Sequence, residues 1–111
     1  MRLGGVGGIN TMRLADGTVM VDVRGELDFP RAGLLQDAIL AKVADVRPPR
    51  VVVDLSLVTF MDSAALGALV TAQHAAADLG VALSIANPSP FVARLLHVAG
   101  LTEALGQPPS A

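Results

Sequence analysis

A chain of 111 residues with 52% hydrophobic and only 16% charged side chains is sized for one well-packed domain and carries no compositional sign of disorder. Its net charge of −2, without any block of Lys or Arg, argues against nucleic acid and anionic membrane partners, and an aromatic content of 3% argues against base stacking. Cysteine is absent, which excludes disulfides, thiolate catalysis and cysteine metal sites.

Residues 1–8 are glycine-rich and read as a flexible leader. The opening MRLGGVGGIN has no apolar h-region, so a signal peptide is not expected, and the stretch Ser63 to Ala77 is too short to cross a bilayer. The expected location is cytoplasmic. Two β-like runs, 9–14 and 18–25, flank Ala15-Asp16-Gly17, a strong hairpin signal. In the second run Val19, Val21 and Val23 alternate with Met20, Asp22 and Arg24, giving one buried and one wet face.

Pro30 suits the first turn of a helix. Its apolar stripe is predicted to run through Leu34, Leu35, Ala38, Ile39, Val43 and Val46, with Lys42 as the one charged interruption and Arg47-Pro48-Pro49 as the stop. The β-branched VVVDL at 51–55 predicts a central strand covered on both faces. A second helix is expected from Ser63 to Leu79, capped at Gly80, with Leu66, Leu69, Val70 and Gln73 on its buried face. Another strand is expected at 81–86. A third helix opens at NPSP (87–90), places Phe91, Val92, Leu95, Leu96 and Ala99 on one face, and closes at Gly100. Residues 101–105 predict a last helical turn, and 107–111 a disordered tail. The order implies a single α/β domain over residues 9–106, built on a mixed sheet of four to five strands with helices packed against it.

Enzyme chemistry finds little support in the sequence. The two histidines, His74 and His97, sit inside predicted helices, and Ser63 lies between Asp62 and Ala64 rather than in a G-x-S-x-G elbow. The eight Asp and two Glu show no metal-ligand spacing, and the single lysine, Lys42, belongs to no phosphate loop. The reading is of a non-enzymatic protein that needs neither cofactor nor metal.

The distinctive feature is the junction Phe60-Met61-Asp62-Ser63, where a strand gives way at once to a helix. Asp and Ser are favoured N-caps because their oxygens accept orphan backbone N–H groups. The same geometry suits a switch. A serine at a helix N-terminus is exposed, and the helix dipole tolerates a phosphate there, while the added charge of about −1.5 to −2 beside Asp62 opposes docking of a partner.

Three blocks, GELDF at 25–29, VVVDLSLVTFMDSAALGAL at 51–69 and SPFVARLLHVAGL at 89–101, resemble the STAS domain of bacterial anti-sigma factor antagonists, in the right order over nearly the whole chain. The resemblance implies the STAS fold and a protein that binds an anti-sigma factor, a serine kinase of the histidine-kinase-like ATPase fold, and so frees a sigma factor. It implies that Ser63 is the phosphorylated residue, that ATP belongs to the kinase, and that a phosphatase of the PP2C type resets the cycle. The partner surface it implies takes in Asp28, Asp62, Ser63, Met61, Ala64 and Leu66, with Asp54 and Ser56 at neighbouring strand ends. Phe60 and Met61 are expected in the core. Where the family usually has Asp-Ser-Ser-Gly or Asp-Ser-Thr-Gly, this chain has Asp-Ser-Ala-Ala, which leaves Ser63 as the one hydroxyl at the junction. A second expectation is a non-switching STAS subunit of a lipid-trafficking ABC transport complex, in which Ser63 only caps the helix.

Overall fold

The computed structural model describes residues 2–6 and 8–106. In chain order it contains β1 (Arg2–Val6), β2 (Ile9–Arg13), β3 (Val19–Leu27), α1 (Phe29–Val46), β4 (Arg50–Met61), α2 (Ser63–Asp78), β5 (Ala82–Ala86), α3 (Pro90–Ala99) and α4 (Thr102–Gly106). The strands form one sheet in the order β1-β2-β3-β4-β5. The first three are antiparallel, whereas β3, β4 and β5 are parallel and joined by the crossover helices α1 and α2. The sheet is mixed, as expected. Within the expected leader, however, residues 2–6 pair with β2 as a fifth strand. Glycine-rich segments carry no strand pattern of their own, so only the neighbouring edge of β2 reveals this one. The tail expected at 107–111 lies outside the described residues.

The β2–β3 hairpin closes as its Asp-Gly predicts. The Leu14 N–H donates to Thr18 O at 2.8 Å, and the Asp16 side chain accepts from the Thr18 N–H at 2.9 Å. Gly17 adopts φ +90, and an added Cβ there would stand 3.3 Å from the Pro49 ring.

Val19, Val21 and Val23 are fully buried beneath the helical layer, where α1 packs on α2, while Met20 and Asp22 remain half-open on the other face. β4 follows the same rule. Val51, Val53 and Leu55 are buried but Val52 and Asp54 are half-open, so the second face of this strand is covered only in part, where Val52 lies near Ala93 and Leu96 of α3. Its continuous apolar run reflects β-branched propensity as much as burial.

The helices carry smaller corrections. The α1 stripe runs through Ala32, Leu35, Ile39 and Val43, with Leu34 left 45% exposed. In α2 the buried side is Ala65, Leu66, Ala68, Leu69, Ala72 and Ala76. Val70 and Gln73 are half-buried. α2 packs against α1, and four of its six buried side chains are alanines, which let packed helices approach closely. Gln73 closes the outer edge of the sheet instead: its amide donates to Leu83 O of β5 at 3.2 Å and to Ala104 O of α4 at 2.7 Å.

Candidate functional site: the paired helix starts

The site is made by the way β3 and β4 end. Between the paired ends Val19↔Val51 and Leu27↔Met61, β4 uses 11 residues where β3 uses 9, and two irregularities absorb the excess, opposite Asp22/Arg24 and Gly25/Glu26. Gly25 takes φ +81 at the second of these, which accounts for the glycine of the GELDF block. The buried positions of β4 therefore change from alternation to every third residue, Leu55, Val58 and Met61. After both irregularities the strands finish in register, Leu27 beside Met61, and the Asp62 N–H donates to Leu27 O at 3.4 Å.

Each strand is followed immediately by an aspartate that heads a helix. Asp28 (φ −98, ψ −177) caps α1 and Asp62 (φ −96, ψ 177) caps α2, so two near-identical extended caps stand side by side. They are not equal in strength. Asp62 Oδ1 accepts from the Ala65 N–H at 2.8 Å, whereas Asp28 Oδ1 accepts from the Arg31 N–H at 3.5 Å.

Ser63 is the first residue of α2 and is exposed. Among the described residues its hydroxyl has no hydrogen-bond partner, because Asp62 already supplies the cap. The amides of Ser63 and Ala64 belong to the first turn, whose donors no helical carbonyl can reach, so this helix start can accept an anion. Ala64 is half-buried, and Leu66 and Met61 are buried, at 8% and 2% exposure. Met61 thus belongs to the core, as the sequence indicates, and the accessible part of the expected surface is Asp28, Asp62, Ser63 and Ala64.

Asp54 and Ser56 lie elsewhere. They sit in the middle of β4, roughly 20 Å along the strand from Asp62. Asp54 Oδ1 accepts from the Ser56 N–H at 2.9 Å and from the Ser56 hydroxyl at 2.7 Å, and Oδ2 accepts from the Asn87 amide at 3.1 Å. Partial burial works against the Asp54 charge, but these three donors outweigh it and hold the carboxyl below its ordinary value. The cluster ties the first irregularity of β4 to the loop before α3. Ser89 continues that tie: its hydroxyl donates to Val58 O at 2.6 Å while its oxygen caps α3.

Two features of this end escape sequence reasoning. Arg31 reaches back from α1 to donate to the carbonyl oxygens of Arg24, at 2.9 Å, and Glu26, in a part of β3 that runs past the end of β2. The second is aromatic. The three phenylalanines of the chain are all exposed, Phe29 by 74%, Phe60 by 41% and Phe91 by 45%. The rings of Phe60 and Phe91 are in tilted contact, with centroids 5.6 Å apart. Phe60 is therefore not core as expected, and Phe91 leaves the buried face of α3 to Val92 and Leu96. Only the pairing of β4 with its neighbours turns Phe60 outward.

Both histidines are exposed. Among the described residues no group of three or more His, Cys, Asp or Glu is placed to hold a metal ion, and no helix is long and apolar enough to cross a membrane.

Residues 10–107 match the family described as Mlab, STAS domain. A STAS-domain containing protein of Pseudomonas aeruginosa is 33% identical over 96 residues, which is 86% of this chain and 93% of that protein. The crystal structure of an anti-sigma factor antagonist from Mycobacterium paratuberculosis is 34% identical and superposes with a TM-score of 0.71 over 92% of this chain and 86% of that one. The anti-sigma factor antagonist SpoIIAA in its unphosphorylated form shares the fold, with a TM-score of 0.71 at 21% identity over 84% of this chain and 81% of its own. A mixed sheet backed by helices, ending in two capped helix starts, is thus the architecture of a known class. The chain belongs to the STAS domain family.

Proposed function

We propose that this protein is an anti-sigma factor antagonist: it binds a kinase-type anti-sigma factor, releases the sigma factor held there, and is switched off by phosphorylation of Ser63. The observation that carries the reading is the free, exposed hydroxyl of Ser63 at the first position of α2, beside a cap that Asp62 maintains without it. The similarity to the Mycobacterium paratuberculosis antagonist at 34% identity supports it. In the modification the Ser63 oxygen attacks the γ-phosphorus of ATP held by the kinase. An O–P bond forms, ADP leaves, and the hydroxyl proton passes to the kinase base.

The phosphate adds a charge of about −1.5 to −2 next to Asp62 and Asp28. Within the chain, the unsatisfied amides of the α2 start and the helix dipole offset that charge, so the fold persists. A docked partner has no such compensation and must desolvate the dianion, so binding fails. A phosphatase of the PP2C type restores the serine. The protein acts in the cytoplasm in this scheme, and ATP belongs to the kinase.

The test is a pull-down from host lysate with the wild-type chain and with Ser63→Glu, combined with phosphosite mapping and melting curves. Wild type is expected to capture a kinase-fold anti-sigma factor and to carry phosphate on Ser63. The glutamate variant is expected to lose that partner while its melting temperature moves by less than about 3 °C. A glutamate variant that retains the partner at full affinity overturns the proposal.

A second reading, a constitutive STAS subunit of a lipid-trafficking ABC transport complex, is favoured by the Mlab description of the matching family and by Ala64-Ala65 at the junction. In that case both baits capture the same transporter subunits, and Ser63 is never modified.

A further inference from the structure

Two of the three aromatic residues of this chain, Phe60 and Phe91, belong to a connected row of side chains. Glu26 of β3 is the register partner of Phe60 of β4, so the two point to the same face, opposite the buried Leu27–Met61 pair. Phe60 touches Phe91 at the start of α3. One turn along α3, at i+3 from Phe91, stands Arg94, and at i+7 stands Val98, 77% exposed. Read across the surface, the sequence is acidic, aromatic, aromatic, basic, apolar. Glu26 and Arg94 are both exposed, and among the described residues neither side chain has an ion-pair partner.

Exposing every aromatic residue is a poor use of side chains that bury 150–250 Å² each when they are covered. The core is filled by Val, Leu, Ile and Ala alone, together with Met61. Contiguous exposed apolar side chains with polar ends mark an interaction surface. The polarity of this row identifies what fits it. A twofold axis through the Phe60–Phe91 contact brings the aromatic pairs of two molecules together and sets Glu26 of each copy opposite Arg94 of the other. The row is complementary to itself in charge.

We propose that the chain self-associates as a twofold dimer through this ridge, with Phe60 and Phe91 at the centre and two Glu26–Arg94 pairs at the rim. The inference stands independently of the antagonist reading, because neither Ser63 nor an anti-sigma factor enters it. An interface centred on two aromatic side chains from each copy is small, so the dimer is weak and its population depends on concentration.

The test is sedimentation equilibrium of the full chain from micromolar to millimolar concentration. The wild-type mass is expected to rise from one chain toward two. Glu26→Arg and Arg94→Glu, each alone, place like charges at the rim and are expected to lower the association constant by about threefold to tenfold. The double variant carrying both reversals restores the pairs in swapped orientation and is expected to return to the wild-type value. Phe60→Ala with Phe91→Ala is expected to leave a monomer throughout, with circular dichroism confirming the fold. A wild-type mass that stays at one chain up to millimolar concentration overturns the proposal and leaves the ridge to a different protein. Association that none of these substitutions changes, or a double reversal no better than the singles, overturns it as well.

Discussion

The two halves of β4 use the same backbone for opposite purposes. From Val51 to Asp54 the strand is in regular register with β3, and through Leu55 its side chains alternate, with every second one sealed in the core. Between Asp54 and Met61 two extra residues are inserted against β3, burial falls to every third position after Leu55, and Leu57 and Phe60 turn outward at 54% and 41% exposure. Regular pairing builds stability and leaves little to display. The irregular half displays side chains while still anchoring itself through Val58 and Met61, and it delivers Asp62 to the same level as Asp28. Bulges recur beside functional sites for this reason: they re-aim side chains without breaking the sheet.

Paired truncations two residues apart break or sharpen this contrast most strongly. Leu55→Ala is expected to cost about 2–5 kcal/mol by urea unfolding, because it opens a cavity in a fully buried site. Leu57→Ala is expected to stay within about 0.5 kcal/mol. Similar losses for both would mean that β4 keeps a regular register to its end.

A smaller effect separates the two helix starts. Asp62→Ala removes a 2.8 Å capping bond and is expected to cost about 1 kcal/mol. Asp28→Ala, whose bond is 3.5 Å long, is expected to cost less, and its Pro30 already fixes the first turn. Equal losses in parallel denaturant titrations would show that Asp28 is held by something other than its cap.

The smallest effect concerns Asp54, where the regular half of β4 meets the irregular one. Its carboxyl is held below its ordinary value, so the stabilisation is present above the unfolded value of about 4 and is lost as pH falls through the lower, folded value. Melting temperature followed from pH 6 downward is expected to fall more steeply in wild type than in Asp54→Asn, which carries no titrating group at that position. The difference amounts to a few tenths of a kcal/mol, since the group is part-exposed and its bonds are solvent-screened. Parallel curves would remove Asp54 from the tie between β4 and the loop before α3.

Much of the candidate site was legible because it is local. Asp62 caps α2 with Ser63 as the first helical residue, an arrangement that needs only a strand end, an acceptor and a helix-forming sequence, and Asp28 with Pro30 does the same for α1. The separate cluster of Asp54, Ser56 and Asn87 was not legible as separate. Sequence proximity to the junction drew Asp54 and Ser56 toward Ser63, whereas the length of an extended strand carries them far from it. Arg31 gave no signal, because the carbonyl groups it covers become available only where β3 outruns β2.

By itself the sequence determined the hairpin, the three main helices and the strand-to-helix junction, since each rests on contacts between residues a few positions apart, and the mixed character of the sheet, since a hairpin followed by helical crossovers implies it. The tertiary structure alone decided the pairing of residues 2–6, the turning of Phe60 and Phe91 to the surface, the choice of Ala32 over Leu34 for the core, and the alignment of two aspartates at one edge. These depend on register between distant segments: a strand's period can be read along the chain, but where it is interrupted depends on the length of the strand beside it.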